Sequence, residues 1–307
     1  MGVRALAMAE SYFTGCAVWA FKDWVGEGGF YPKGSKAGDF LRLYCDRMTT
    51  VEGNTTFYSM PDARTIDRWA ATMPRGFRFC PKLPRAFSHQ GKLMPFVEAS
   101  HRFLQTLTPL GDRLGPLFIQ LPPTYSPEQL ADLREFLARW PRQQHPIAVE
   151  VRHLGWFAEP HATRLNQMLT SLGVGRVLLD TRPIYDCLDT PSDDPQIGSE
   201  RKKPRVPLQP EVTAPFTIVR YISHPDLAYN QPYFDEWVPR LHQWLQAGTD
   251  VYFFAHCPQE VKSPAVARAV YHQLQQAGAE LPALGWDIAE QQRAEEDASP
   301  AQLSLFG

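Results

Sequence analysis

Eight short runs rich in β-branched and aromatic residues alternate with longer stretches of helical period, and this alternation constrains the fold more than any other feature. The runs are SYFTGCAV, TTVEGN, FRFCPKL, GPLFIQLP, PIAVEVR, GRVLLDT, FTIVRYIS and DVYFFAHC. Repeated strand–helix units of this kind are typical of parallel sheets covered by helices. The sequence therefore predicts an α/β fold, a TIM-like (β/α)8 barrel, with a doubly wound sheet as the alternative.

Helices are predicted in the segments that separate these strands. The segments are AGDFLRLYCDRM, DARTIDRWAATM, KLMPFVEASHRFLQTL, SPEQLADLREFLARW, EPHATRLNQMLTSLG, QPYFDEWVPRLHQWLQAG and KSPAVARAVYHQLQQAG. Gly173, Gly248 and Gly278 lie where helices are expected to end. One crossover has no helical period: residues 182–215 are proline-rich and charged, which predicts a long irregular loop.

Composition supports a single large domain. The chain has 307 residues and 44% hydrophobic content, enough for one barrel-sized core. We predict an N-terminal extension at 1–10, a barrel at 11–278 and a polar tail at 279–307. The net charge of -2 gives no overall basic field, so a nucleic acid would have to bind a local patch. Five scattered cysteines without a C-x-x-C pair, and no apolar run of membrane-spanning length, predict a cytoplasmic protein without a membrane partner.

Polar side chains recur near the carboxyl ends of the predicted strands. Residues two apart on a strand point to the same face, so Glu52 shares a face with Asn54, and Glu150 with Arg152. Other strands carry further polar residues at or just beyond their ends, namely Lys82, Gln120, Asp180, Arg220, His224 and His256. Barrel enzymes place their chemistry at this end of the strands, so we predict a functional site there.

The chemistry expected of this site follows from its charges. The candidate catalytic residues are Glu52, Glu150, Asp180 and His256. Carboxylates beside a histidine could divide general acid and base roles, or could hold a divalent metal that activates water, and the sequence leaves both open. Three basic residues are available for an anion: Lys82, Arg152 and Arg220. The alternative for a pair such as Glu150 and Arg152 is an ion pair that only stabilises the strand ends.

Motifs of several other reaction classes are absent. The sequence contains no G-x-S-x-G elbow, no H-E-x-x-H and no P-loop, and GEGGFYPKG does not have the spacing of a dinucleotide-binding loop. The basic run ERKKPR in the long loop could bind phosphate. Charged loops are more often simply solvated, and we favour that interpretation.

Four ordered segments carry a family resemblance: VEGNTTFYSMP, FRFCPKLPRAFSHQGKL, LGPLFIQLPPTY and AVEVRHLGWF. They resemble the conserved blocks of the YecE-like family, the domain of unknown function 72. The resemblance implies a TIM-like barrel and assigns to the family motif Glu52, Asn54, Lys82, His89, Gln120, Glu150, Arg152 and Trp156. It implies no particular reaction. The candidate ligand-binding residues are Asn54, Lys82, His89, Gln120, Arg152, Trp156, Arg220 and His224. RYISHP and FFAHCPQE depart from the family pattern, which commonly has His-Gly after the strand-seven arginine and an Asn pair ending strand eight.

Two functions are compatible with these residues. The first is hydrolysis, metal-assisted or not, of a phosphate-bearing or nucleic-acid-derived ligand, because acids and bases converge beside several cations. The second is a non-catalytic barrel that binds nucleic acid or protein through aromatic side chains. The aromatic candidates are Trp19, Trp24, Tyr31, Phe57, Tyr58 and Trp156.

The chain ends in QLSLFG, which resembles the Gln-Leu-Ser/Asp-Leu-Phe peptide that bacterial replication and repair proteins insert into the DNA sliding clamp. The matching residues are Gln302, Leu303, Ser304, Leu305 and Phe306. The preceding AEEDASPA is predicted to be too polar to fold and to act as a tether. A bacterial sliding clamp is therefore a predicted partner, with Leu305 and Phe306 as anchors. The alternative is that these two side chains pack on the barrel.

Overall fold

The computed structural model describes residues 12–26, 29–186 and 203–298, and all eight predicted strands lie within them. In chain order they are β1 (Tyr12–Cys16), β2 (Thr50–Gly53), β3 (Arg78–Pro81), β4 (Leu117–Gln120), β5 (Ile147–Glu150), β6 (Gly175–Asp180), β7 (Phe216–Ile222) and β8 (Asp250–His256). Each strand pair that the structure describes is parallel. The predicted α/β class is confirmed.

Each of the predicted interstrand helices is also present. They are α1 (Phe40–Cys45), α3 (Ala63–Thr72), α5 (Val97–Leu107), α6 (Leu130–Arg139), α7 (His161–Leu172), α9 (Gln231–Gln246) and α10 (Ser263–Gln276). Other helices were not predicted: α2 (Asn54–Tyr58), α4 (Arg85–Ser88), α8 (Arg182–Tyr185) and α11 (Gly285–Ala298). Gly173 ends α7 with a φ of 63°, a left-handed conformation that glycine adopts without the strain of a Cβ atom.

The strands form one six-stranded sheet, in the order β1-β8-β7-β6-β5-β4, and one two-stranded sheet, β2-β3. The first strand therefore pairs with the last, with Tyr12 opposite Val251 and Cys16 opposite Ala255. A doubly wound sheet reverses its strand order beside the first strand, which then lies inside the sheet. In this sheet β1 lies at the edge, so the strand order does not fit the doubly wound alternative.

A tyrosine hydroxyl joins β1 to β2 where the strands share no ladder. The hydroxyl of Tyr44 accepts a hydrogen bond from the Cys16 amide at 2.6 Å and donates one to the Thr50 carbonyl at 3.0 Å. A Cβ atom on Gly15 would lie 1.9 Å from the same Thr50 carbonyl oxygen. A side chain at position 15 is therefore excluded by the close approach of the two strands.

β3 and β4 are also in contact, although they belong to different sheets. Isolated parallel bridges join Phe79 to Leu114 and Lys82 to Phe118. The Leu83 amide donates a hydrogen bond to the Phe118 carbonyl at 3.0 Å. The two sheets therefore meet at both edges of the β2-β3 pair.

Two faces of the strands are buried in separate clusters. One face packs on the helices, as the apolar Ile147 and Val149 of β5 do. The other face forms an inner cluster that combines side chains of seven strands: Phe13, Cys80, Phe118, Ala148, Val177, Phe216, Ile218, Tyr252 and Phe254. The period of two predicted from sequence is thus reproduced, with one face toward helices and the other toward opposing strands.

The C-terminal region differs from the predicted polar tail of residues 279–307, because α11 extends to Ala298. Trp286 is 7% exposed and packs edge-on against Phe30 at 5.0 Å. Arg268 of α10 holds the helix through Asp287 at 2.5 Å and Glu290 at 2.6 Å. The helix therefore continues into the AEEDASPA stretch as far as Ala298, whereas residues 299–307, with the predicted clamp-binding peptide, lie outside the described residues.

The predicted irregular loop of residues 182–215 begins with the short helix α8. Residues 187–202 lie outside the part of the chain that the structure describes, and residues 203–215 contain neither helix nor strand. Among the described residues, no helix is long and apolar enough to cross a membrane. The N-terminal extension at 1–10 also lies outside the described residues.

Candidate functional site

A cavity of about 460 Å³ lies at the carboxyl ends of the strands. Its wall is formed by residues that continue the inner face of the strands by steps of two: Lys82 follows Cys80, Gln120 follows Phe118 and His256 follows Phe254. Because apolar side chains fill the space beneath, the polar side chains at the strand ends converge on one cavity. The cavity therefore lies at the end of the strands where we predicted a functional site.

Arg220 of β7 joins two buried glutamates. Its Nε donates to Glu52 Oε2 at 2.8 Å, and its Nη2 donates to Glu52 Oε1 at 3.1 Å, a forked contact. Its Nη1 donates to Glu150 Oε2 at 2.6 Å. Both glutamates are fully buried. The guanidinium therefore lies between two carboxylates, which its planar fork is suited to bind.

Other basic side chains also contact these two glutamates. Lys82 Nζ lies 2.6 Å from Glu52 Oε1, and His256 Nε2 lies 2.8 Å from Glu52 Oε2. Arg152 Nε donates to Glu150 Oε1 at 2.6 Å. Each of the four carboxylate oxygens thus accepts at least one hydrogen bond from a basic side chain, which satisfies the buried charges.

These contacts keep both glutamates ionised. Burial by itself raises the pKa of Glu52, but Arg220, Lys82 and His256 together hold it well below its usual value. Burial opposes ionisation of Glu150 in the same way, and Arg152, Arg220 and Lys82 lower its pKa to about 2. At neutral pH both side chains are carboxylates and have no proton to donate.

Burial has the opposite effect on the basic groups. Burial, reinforced by the charge of Arg220, lowers the pKa of Lys82 to about 8 despite its contact with Glu52. Burial also lowers the pKa of His256 to about 4, so its ring is neutral at pH 7. Because Glu52 Oε2 can only accept, the neutral His256 ring donates its Nε2 proton to that oxygen. His256 therefore orients Glu52.

Two charged residues of the cavity wall were missed by sequence reasoning. Lys203 belongs to the ERKKPR run that we interpreted as solvated, yet it lines the cavity, and burial lowers the pKa of its ammonium. Glu260 follows β8 by four residues and also lines the cavity. Burial raises the pKa of Glu260 to about 8. The sequence signals were a basic run in the long crossover and an acid just beyond the last strand.

Two of the predicted ligand-binding residues, Asn54 and Gln120, belong to the cavity wall, and a third, His89, does not. Asn54 Nδ2 donates to the Ala17 carbonyl at 3.0 Å, and Gln120 Oε1 lies 3.3 Å from Lys82 Nζ. His89 is packed 5.3 Å from the Phe57 ring. Burial and nearby arginines lower its pKa to about 4.

Asp180, predicted to be catalytic, does not join this cluster. Leu179 lines the cavity, so its neighbour Asp180 projects from the opposite face of β6. Asp180 Oδ2 accepts hydrogen bonds from Arg182 Nη2 at 2.9 Å and from the Trp237 indole at 2.8 Å. The alternation of faces therefore directs Asp180 toward the helices, where it anchors α9 to β6.

His224 and Trp156, predicted to bind a ligand, have local structural contacts. The His224 amide donates to Asn230 Oδ1 at 2.9 Å, and its Nδ1 accepts from the Asp226 amide at 2.9 Å. Trp156 is fully buried, and its indole donates to the Tyr125 carbonyl at 2.8 Å. Neither side chain is part of the cavity wall.

Most of the aromatic side chains that we considered for non-catalytic binding are packed against other side chains of the protein. Trp24, Tyr31 and Phe57 are buried, and Trp19 packs edge-on against Trp69 with ring centroids 5.3 Å apart. Tyr58 differs, because it is 78% exposed and lines the cavity. Aromatic stacking on a ligand is thus available at Tyr58.

The donor set does not fit the divalent metal that the sequence left open. Within the described ranges, no group of three histidine, cysteine, aspartate or glutamate side chains is placed to hold a metal ion. The oxygens of Glu52 and Glu150 already accept hydrogen bonds from lysine, arginine and histidine. A divalent cation would have to displace several of these partners and would lie among cations.

Comparisons with known proteins identify the family of this chain. The sequence model described as "Protein of unknown function DUF72" matches residues 13–292. The chain is 34% identical over 278 residues to the UPF0759 protein YecE of Escherichia coli K12, covering 90% of this chain and 96% of that protein. It is 24% identical over 259 residues to the UPF0759 protein YunF of Bacillus subtilis 168, covering 75% and 84%.

Solved structures show the same fold. A DUF72 family protein from Enterococcus faecalis V583 superposes with a TM-score of 0.63 at 19% identity, covering 86% of this chain and 94% of that one. A DUF72 family protein from Thermotoga maritima MSB8 gives a TM-score of 0.58 at 20% identity, covering 87% and 98%. With the family model matching nearly the whole described region and the strands bringing the motif glutamates together, the chain belongs to the DUF72 family.

Proposed function

We propose that the cavity binds a ligand through a phosphate group and that the protein hydrolyses that ligand. The observation that carries the proposal is the imbalance of charge in the wall. Four basic side chains, Lys82, Arg152, Lys203 and Arg220, line the cavity. The carboxylates that neutralise them are two, Glu52 and Glu150. Glu260 also lines the cavity, but burial raises its pKa to about 8, so it adds little negative charge at pH 7 and an anion is needed for balance.

The distribution of ion pairs indicates which cations would contact the anion. Arg220 and Lys82 are engaged with the carboxylates, whereas Lys203 has no ion-pair partner among the described residues. Arg152 contributes Nε to Glu150, which leaves its two Nη groups as donors. Lys203 and Arg152 are therefore the proposed phosphate ligands, and the buried glutamates hold the cationic wall in place.

Phosphate binding is tested by calorimetric titration of inorganic phosphate into the full-length protein at pH 7. Replacing Lys203 by methionine removes a charge-assisted contact of about 1.5–3 kcal/mol, so the affinity should fall roughly tenfold or more. Arg205→Met is the matched control, because Arg205 lies two residues away with a side chain that is 71% exposed. Equal affinity in wild type and Lys203→Met would contradict the proposal.

Hydrolysis is tested separately with phosphomonoester, phosphodiester, abasic-oligonucleotide and glycoside substrates. Because the carboxylates are saturated by basic side chains, we expect turnover to be unchanged by added divalent metal or by chelator. Activity that requires a metal would contradict this assignment of Glu52 and Glu150. Turnover of the glycoside alone would contradict the phosphate class of substrate.

We infer further that the two sheets close into the (β/α)8 barrel that the sequence predicts. Three observations support closure: β1 pairs with β8, the Tyr44 hydroxyl links β1 to β2, and backbone bridges link β3 to β4. The inner cluster of side chains from seven strands also matches the filled interior of a barrel. Amide hydrogen exchange tests this, because closure predicts slow exchange in β2 and β3 as well as in the six-stranded sheet.

A second function, non-catalytic binding of a single-stranded nucleic acid, is favoured by one observation. Six of the seven large apolar side chains that are exposed among the described residues lie in connections after β2, β5, β7 and β8, and they are Tyr58, Met60, Leu154, Leu227, Tyr229 and Val261. Such a rim could contact bases while a phosphate enters the cavity. A labelled oligonucleotide that binds without being cleaved, and that binds more weakly to Tyr58→Ser, would favour this function. Undiminished binding to Tyr58→Ser would contradict it.

A further inference from the structure

We propose that Glu260 is the proton donor of this site and that its neutral carboxylic acid delivers a proton to an oxygen of the bound phosphate ester. The inference rests on the proposed function and assigns the step that Glu52 and Glu150 cannot perform. Those two glutamates are held as carboxylates by three cationic side chains, Lys82, Arg152 and Arg220. A cavity that hydrolyses an ester still requires an acid for the departing oxygen.

The position of Glu260 fits this role. Its side chain lines the cavity, yet its Oε1 atom is buried without a hydrogen-bond partner among the described residues. The indole of the buried Trp24 donates to the Glu260 carbonyl at 3.0 Å and thereby fixes its backbone. A buried acid oxygen that lacks a partner costs free energy, which a ligand oxygen in the cavity would recover by pairing with it.

The electrostatic surroundings keep Glu260 protonated at neutral pH. Burial, reinforced by the nearby charge of Glu52, raises the pKa of Glu260 to about 8. The Ser263 hydroxyl and Lys203 lower this pKa in part. Two thiols also interact electrostatically with Glu260: Cys16 of β1 and Cys257, which follows β8. The acid is therefore largely neutral at pH 7, with Lys203 placed to stabilise the carboxylate formed when the proton leaves.

The step balances with water as the second reactant. The bond between phosphorus and the bridging oxygen breaks, and the departing oxygen takes the proton of Glu260. The oxygen of an attacking water forms the new bond to phosphorus. One proton of that water restores Glu260 to its neutral form, and the other stays on the phosphate.

The test is a pH titration of the full chain labelled with ¹³C at the glutamate side-chain carboxyl, followed by NMR. One carboxyl signal should titrate with a midpoint near pH 8 and should be missing in Glu260→Gln, which preserves the shape of the neutral acid. Glu98→Gln, at an exposed position of α5, should leave that signal in place. If the glutamine variant does not fold, Glu260→Asp provides the assignment, because it removes the labelled glutamate carboxyl and the same signal should be missing.

Inorganic phosphate then separates the two proposals. Bound dianion next to Glu260 should favour the protonated acid and raise the midpoint by about one pH unit or more. A Glu260 signal that titrates below pH 6, or one that calorimetrically bound phosphate leaves unmoved, would overturn the assignment of the proton donor alone. Absence of any phosphate binding would overturn the proposed function, and this inference with it.

Discussion

Replacing Arg220 by methionine should destabilise the protein strongly, and the size of the effect can be worked from its two carboxylate contacts. Arg220 is 5% exposed and binds Glu52 and Glu150, both fully buried. The pKa of Glu150 is lowered to about 2 from an ordinary value of 4.5. At 1.36 kcal/mol per pKa unit, the ionised form of Glu150 is stabilised in the folded state by about 3 kcal/mol. Arg220, Arg152 and Lys82 together provide this stabilisation.

Loss of the guanidinium would also leave Glu52 without its forked partner. Breaking a buried ion pair from one side costs about 3–5 kcal/mol, because the remaining charge stays buried. We expect the free energy of unfolding to fall by this amount at pH 7. In urea denaturation followed by tryptophan fluorescence, the midpoint should fall while the m-value, which reports the surface exposed on unfolding, is unchanged.

The cost should depend on pH in a defined direction. Glu150 has a depressed pKa in the folded state, so its ionised form contributes stability above pH 4.5 that is lost as the pH falls toward 2. Without Arg220, burial raises the pKa of both carboxylates, and protonation at low pH then relieves the unpaired charges. The difference between wild type and Arg220→Met should therefore be full at pH 7 and smaller at pH 4.5.

Two control variants isolate the buried fork. Arg42→Met removes a surface pair with Asp46, whose side chains are 58% and 50% exposed, and should change stability by less than about 0.5 kcal/mol. Arg220→Lys keeps a charge but loses the planar fork, so its cost should be intermediate. A loss below about 1 kcal/mol for Arg220→Met at pH 7, or an equal loss at pH 4.5, would refute this reasoning.

Three other predictions concern separate regions. Asp180→Asn should lower the free energy of unfolding by about 1.5–3 kcal/mol in urea denaturation, because charge-assisted hydrogen bonds are lost. Phosphate affinity should be unchanged, and a loss of affinity would show that Asp180 contributes to the site. Gly15→Ala should cost more than about 3 kcal/mol or prevent folding, because the Cβ atom would meet the Thr50 carbonyl at 1.9 Å, and a wild-type melting temperature would contradict the observed strand contact. A labelled peptide of residues 294–307 should bind purified bacterial sliding clamp with micromolar affinity and lose binding when Leu305 and Phe306 become alanine; binding indifferent to those changes would remove the clamp as a partner.

Local pattern by itself determined the strands, the interstrand helices and most of the polar side chains that line the cavity. Alternation along a strand is a property of the extended backbone, so Glu150 and Arg152 could be assigned to one face before any fold was known. The same rule applies to Asp180, but the sequence does not show which face of β6 turns inward. That choice is made by packing, which directs Val177 and Leu179 inward and Asp180 toward Trp237.

Tertiary structure decided what local pattern could not carry. The polar α11 has little apolar periodicity of its own and is held by Arg268 and by burial of Trp286, which come from distant contacts. Lys203 lies in an irregular segment and Glu260 begins a 3-10 helix of three residues, both too short of regular structure for a period to predict the direction of a side chain. Their placement in the cavity depends on the folded chain. So does the difference between Glu260, whose pKa is raised by burial, and Glu150, whose pKa is lowered by its cationic neighbours, because a pKa is set by the charges and solvent around a group.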